Sequence, residues 1–362
     1  MSGTSAQTMR AAGAWWMPVA VAVLSLAVAV LGCEALLRLV PLRAAAVIRD
    51  PEEEVHPSGL YALHPEIGWT LTPGFRGRFR KGDFDIEVTA NAQGLREHDI
   101  SPKPPGTYRI LGLGDSFAFG WGVEAEESFL KVLQARLNAD GRRLYEVVNA
   151  GIPGFGTYEA LRLLEVRGLS YEPDAVILAF YEGNDFQNNR EAPRRRMITP
   201  EGYLKDVTDP SPALTQHSRL AALVHGQWAR VHTKRGFAEG VRATQSLLQQ
   251  MHTLLEQRRI PLALVLIPDQ DAKVYGRAPL LRLYDRVVGG MELSQARREL
   301  EAFCRNHGIW FYQLSDRFGG DQDSSALRLN DTHFNPAGHR AAAEEIHRFL
   351  ERSVLAAGDA ER

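Results

Sequence analysis

Apolar residues run from Ala11 to Cys33 without a charged side chain, and WWMPVAVAVLSLAVAVLGC (15–33) is apolar almost throughout. That length suits a helix across a hydrocarbon core of about 30 Å. Trp15 and Trp16 stand where an interfacial aromatic belt would lie. The run exceeds the usual short core of a cleaved signal peptide and continues past Glu34 as ALLRLV, so residues 1–40 read as a membrane anchor. Val30-Leu31-Gly32-Cys33 offers an alternative as a lipoprotein processing site, with Leu31 where a small residue is usual. Arg10 stands alone before the span, whereas Arg38, Arg43 and Arg49 lie beyond it among Glu34, Asp50 and Glu52 to Glu54. A literal positive-inside count keeps the C-terminal portion in the cytoplasm. A single N-terminal span more often exports the chain behind it, so the expectation is an extracytoplasmic, periplasmic catalytic portion.

Residues 41–57, rich in Arg, Glu and Pro, read as a solvated stalk. From Gly59 to Thr107, short alternating runs such as FDIEV between turn signals predict a small β region. The rhythm then changes to strand-like runs (Tyr108 to Leu113, Tyr145 to Asn149, Ala175 to Tyr181, Leu262 to Ile267, Ile309 to Leu314). Amphipathic helices are predicted at Glu126 to Asn138, Tyr158 to Arg167, Val241 to Arg258, Leu293 to His307 and Pro336 to Arg352. Continuous apolar runs such as AVILAFY and LALVLI suit strands covered on both faces, and strands alternating with helices need crossovers. The predicted fold class is α/β with a parallel sheet over residues 108–355. Gln187 to Arg235 interrupts the rhythm as a partly helical insertion, and its basic run Arg194-Arg195-Arg196 reads as a solvated face.

With 362 residues, a formal charge of −2 and a pI of about 6.6, the chain shows no basic signature of a nucleic-acid partner. Cys33 and Cys304 form neither a disulfide framework nor a zinc spacing, and His217, His225 and His232 have no carboxylate partners at metal-ligand spacing.

Candidate chemistry gathers after the predicted strands, where parallel sheets carry their sites. Ile110-Leu111-Gly112-Leu113-Gly114-Asp115-Ser116 places a serine just past the first strand. Asn149-Ala150-Gly151-Ile152-Pro153-Gly154 comes after the second strand as a glycine-rich loop with backbone N–H groups to offer. Glu182-Gly183-Asn184-Asp185 comes after the third, and Asn330-Asp331-Thr332-His333 precedes the last helix. A nucleophile, a base, an acid to hold the imidazole tautomer and oxyanion donors are the parts acyl chemistry needs. Asp115 and Asp185 read as loop-pinning groups, His339 as structural, Cys304 as a packing residue, and Gly94 with Arg96 as a turn and a salt bridge.

GDSF, NAGIPG, GND and DTH, in that order across residues 108 to 352, resemble the SGNH or GDSL-type serine hydrolase family. The span ending in E-x-L-L-R-L, HPEIGW and NAQGLRE also resemble its bacterial membrane-anchored branch. The resemblance implies a three-layer α/β/α fold with a five-stranded parallel, flavodoxin-like sheet. It implies Ser116 as nucleophile and first oxyanion donor, Gly154 as the second donor with Gly151 as fallback, Asn184 as the side-chain donor, and His333 as base with Asp331 as its acid. Many members carry D-x-x-H, whereas this chain has the shorter D-x-H of membrane-associated and polysaccharide-acetylating relatives. No cofactor or metal is implied. The expected function is a serine esterase acting on small acyl groups, acetyl first, on an acylated small molecule or glycan. The alternatives are a polysaccharide O-acyltransferase using the same site and a non-catalytic glycan-binding protein. Specificity is expected from the insertion and the β region, which carry no readable code.

Overall fold

A computed structural model describes residues 16–39, 57–139, 141, 143–207, 218–269, 292–315, 318 and 324–356. It divides into two compact units, Met1–Asp50 with Pro210–Val231, and Pro51–Asp209 with His232–Arg362. In the first, α1 (Trp16–Leu39) contains the stretch Pro18–Leu36, long and apolar enough to cross a membrane, with its large apolar side chains exposed. Glu34 near its end accepts hydrogen bonds from Ser218 Oγ and the Leu220 N–H, both at 2.9 Å. Most of the stalk, at 40–56, lies outside the described residues, as does His217; the side chains of His225 and His232 also lie outside them.

The second unit is built on a five-stranded parallel sheet: β5 (Tyr108–Gly114), β6 (Tyr145–Gly151), β7 (Ala175–Tyr181), β10 (Leu262–Ile267) and β11 (Trp310–Gln313). Their order across the sheet is β11-β10-β7-β5-β6. Counted along the chain this is the flavodoxin-like order 2-1-3-4-5, in which the strand order reverses at the first strand, the second lying on one side of it and the third on the other, and a crevice opens at its C-terminal end.

Side chains of each strand alternate between two cores, as the two-residue period requires. Leu262, Leu264 and Leu266 join Leu111 and Leu113 against α4 (Thr157–Val166), α6 (Arg219–Glu256) and α7 (Leu293–Asn306). Ala263, Val265 and Ile267 join Ile110 and Ile177 against α3 (Phe129–Leu137) and α8 (Pro336–Arg352). Covered on both faces, the sheet is the middle of three layers, as the apolar runs predict.

The β region forms two antiparallel hairpins, β1 (Tyr61–His64) with β2 (Gly68–Leu71) and β3 (Arg76–Lys81) with β4 (Phe84–Thr89). Their Trp69, Phe79, Ile86 and Val88 are buried in the same core as Leu111 and Phe155.

Several sequence expectations change. The helix expected from Glu126 begins at Phe129, because Ser128 Oγ accepts from the Lys131 N–H and caps it there. The helix expected from Val241 is the end of α6, which starts at Arg219. Gly236 and Gly240 lie inside this helix and permit close packing: a Cβ on Gly240 would fall 2.4 Å from the Phe186 carbonyl oxygen, and one on Gly236 would overlap Arg190. The insertion also holds a third hairpin, β8 (Arg196–Ile198) with β9 (Leu204–Asp206). Arg194 is no part of a solvated face. Its side chain is buried, donating to Glu159 Oε2 at 3.0 Å and to the Gly154 carbonyl at 2.6 Å, while Arg196 pairs with Asp206 at 2.7 Å.

Candidate active site

Ser116 lies just past β5 at the crevice and is the one residue between Thr107 and Gly120 that is not buried. It opens the short helix α2 (Ser116–Phe119), which Asp115 caps by accepting from the Phe117 N–H at 2.9 Å. Arg96, expected in a salt bridge, is buried and instead donates to the carbonyls of Glu87, Gly120 and Val123 at 3.1, 2.7 and 2.8 Å. It therefore fixes the chain leaving the serine helix, and burial pulls its guanidinium down to about 10.

Asp331 and His333 stand in the loop before α8. Thr332 between them has φ +78°, a left-handed conformation costly for a β-branched residue. Arg328 holds that turn by donating to the Thr332 carbonyl and, through Nη2, to that of Pro268 at 2.8 Å. The turn lets two residues only two positions apart meet: His333 Nδ1 lies 3.0 Å from Asp331 Oδ1. His333 Nε2 lies 2.8 Å from Ser116 Oγ.

Burial works against the charge on Asp331, but the hydrogen bond and charge of His333, with the charge of Lys81, hold its carboxyl well below the usual range. An ionised carboxylate only accepts, so Nδ1 carries the imidazole proton and leaves the Nε2 lone pair for the serine hydroxyl. The rings of Phe117 and Trp121 lie 5.0 and 5.3 Å from that of His333 and limit its rotation.

The second and third strand ends bring the remaining candidates. Gly154 has φ +82°, a region its neighbours could enter only with strain. The carbonyls of this turn are tied down, Pro153 by Trp69 Nε1 at 3.1 Å and Gly154 by Arg194. Among the described residues neither the Ser116 nor the Gly154 N–H meets an acceptor, whereas the Gly151 N–H is taken by Asn149 Oδ1 at 3.0 Å. Asn184 Nδ2 lies 3.4 Å from Asp115 Oδ2, a long contact that leaves its second N–H to be offered elsewhere. Asp185, which opens α5 (Asp185–Arg190), accepts from the Tyr181 N–H at 2.8 Å and pins the same turn. Burial raises the carboxyls of both Asp115 and Asp185, that of Asp185 further through the charge of Asp115.

His339 lies away from the serine, buried on α8, where Nδ1 accepts from the Phe129 N–H at 3.1 Å. Burial, with the charges of His333 and Arg96, lowers it from 6.5 to about 3. Between those values the unfolded chain binds a proton that the folded chain refuses, so stability present above pH 6.5 is lost as pH falls. Denaturant melts should show a loss of about 3 kcal/mol between pH 6.5 and about pH 4 from this group. His339→Gln, whose amide oxygen can accept from Phe129 without titrating, should remove that part of the slope.

Lys81 and Trp121 are site residues that sequence reasoning missed. Both donate to Asp331 Oδ2, at 3.0 Å each. Lys81 lies 250 positions from Asp331, and no local pattern marks such a pair. Among the described residues no group of three or more His, Cys, Asp or Glu is arranged to hold a metal ion.

A profile of the GDSL-like lipase/acylhydrolase family matches residues 113–341 of this chain. No curated protein matches it. Among solved structures it is similar to the lipase/acylhydrolase from Enterococcus faecalis, at 14% identity and TM-score 0.41, over 67% of this chain and 95% of that one. It is also similar to the psychrotrophic esterase EstA from Pseudoalteromonas sp., at 16% identity and TM-score 0.43, over 68% of this chain and 98% of that one. A two-domain esterase active on acetylated mannans aligns at 15% identity and TM-score 0.40, over 68% of this chain and 49% of its own.

Proposed function

Because the chain belongs to the GDSL-like lipase/acylhydrolase family, hydrolases that act on ester bonds, we propose that it is a serine esterase releasing small acyl groups through an acyl-enzyme on Ser116. One observation carries the reading: the continuous line from Ser116 Oγ through His333 to Asp331, with spacings of 2.8 and 3.0 Å. His333 Nε2 takes the hydroxyl proton as Oγ attacks the ester carbonyl, and Asp331 balances the imidazolium that forms. The Ser116 and Gly154 N–H groups and the Asn184 amide receive the charge that develops on the carbonyl oxygen. Collapse breaks the bond to the alcohol, which leaves with the proton from Nε2. Water then adds to the acyl carbon with His333 again as base, and the acid departs as Ser116 Oγ regains its proton.

A short acyl group, acetyl first, on a small molecule or glycan alcohol is the substrate this reading takes to the test. A carbohydrate hydroxyl replacing water in the second half would make the same site an O-acyltransferase, so the test reads both. The exposed apolar side chains of α1 support anchoring in a membrane; the extracytoplasmic position of the catalytic unit rests only on the tendency of a single N-terminal span to export the chain behind it.

The full chain in detergent is given p-nitrophenyl acetate and octanoate, with and without an oligosaccharide acceptor. The expected result is kcat/KM for the acetate at least about tenfold above the octanoate, with acetate as product. A preference for octanoate overturns the short-acyl assignment, and acetyl recovered on the oligosaccharide in place of free acetate overturns hydrolysis in favour of transfer.

A further inference from the structure

The hairpin β3–β4 precedes the family-matched segment, yet its tip touches the D-x-H loop twice. Lys81 Nζ donates to Asp331 Oδ2 at 3.0 Å, and Asp83 Oδ2 accepts from the Asn330 N–H at 2.7 Å. We propose that Lys81 is a positioning residue of the triad, holding Asp331 in the orientation that presents Oδ1 to His333, so that the hairpin completes the active site. This rests on the esterase reading of that site.

The two carboxylate oxygens of Asp331 have separate tasks. Oδ1 faces His333, accepting from its backbone N–H at 3.3 Å and lying 3.0 Å from Nδ1. Oδ2 receives Lys81 Nζ and Trp121 Nε1. Rotation about the Cβ–Cγ bond that would turn Oδ1 from the imidazole must break both outer hydrogen bonds. The Lys81 bond is charge-assisted and only partly exposed, with 23% of the lysine and 19% of the aspartate side chain accessible. Lys81 Nζ also lies 5.9 Å from the centre of the Trp121 ring, which stacks on His333. One cation therefore braces both the carboxylate and the ring beside the base. The need arises from the loop: Asp331 sits next to a left-handed Thr332 rather than on a helix, so its own backbone supplies little restraint.

Lys81 touches neither nucleophile nor base, so its effect must pass through Asp331, and a double-mutant cycle reads that dependence. In the full chain in detergent, Lys81→Met should lower the rate of Ser116 acylation by p-nitrophenyl acetate at least about tenfold with KM within about twofold. Lys81→Arg, which keeps charge and donor, should recover most of the loss. In an Asp331→Asn background the same Lys81→Met change should cost less than about twofold. Loss of equal size in both backgrounds assigns Lys81 a merely structural role and overturns the proposal, as does a Lys81→Met chain that acylates at the parental rate or changes only KM. If Lys81→Met does not fold, Lys81→Gln takes its place in the cycle. A parent chain without Ser116-dependent turnover rejects the esterase reading itself, whereas an active parent insensitive to Lys81 rejects this inference alone.

Discussion

Ser116→Ala lowers kcat toward p-nitrophenyl acetate by about 10⁴-fold or more while the folded chain melts within a few degrees of the parent. The magnitude comes from removing the nucleophile: the oxyanion donors and His333 remain, but no acyl-enzyme can form. The small change in melting comes from the position, because Ser116 is partly exposed and its helix is capped by Asp115 rather than by the serine. Steady-state rates and a thermal melt on the same preparation check both halves.

Asp331→Asn should lower kcat by about 10³- to 10⁴-fold, through the tautomer rather than through lost charge alone. The carboxylate now accepts on both sides, from Lys81 and Trp121 at Oδ2 and from His333 at Oδ1. An asparagine has one acceptor oxygen and one donor nitrogen. Two donors from Lys81 and Trp121 claim the oxygen, which turns the NH₂ toward His333. Nδ1 must then accept, its proton moves to Nε2, and Nε2 presents a hydrogen instead of a lone pair to Ser116. A pre-steady-state acylation rate isolates this step, and a loss confined to deacylation would contradict it.

Much of the fold is legible along the chain because buried parallel strands write themselves as unbroken apolar runs. AVILAFY and LALVLI form β7 and β10 over the residues their pattern marks, and Pro336 opens α8 behind the cap of Asn335. The gathering of the candidate residues at the crevice is legible for a related reason: Ser116, Gly154 and Asn184 come within three residues of strand ends, and the topology alone carries strand ends to one edge. Residues that act at a distance leave no such trace. In RGRFRK the exposed cations Arg76, Arg78 and Arg80 alternate, whereas Lys81 follows Arg80 directly and falls on the face of Phe79; that phase turns it inward, but only tertiary packing gives it Asp331 as partner. Arg96 and Arg194 look like surface charge in one dimension, yet each is buried against carbonyl oxygens. Gly236 and Gly240 leave no trace of their role, because sequence records their missing side chains but not the neighbours those gaps admit.

The central claim is a covalent acyl intermediate on Ser116 activated by His333. The full chain is mixed with p-nitrophenyl acetate, quenched in acid within the first turnover, and analysed by intact mass and peptide mapping. One acetyl group on the peptide bearing Ser116, absent from Ser116→Ala and greatly slowed in His333→Ala, is the predicted result. Turnover with no label, or with label on another residue that persists in Ser116→Ala, would contradict the account.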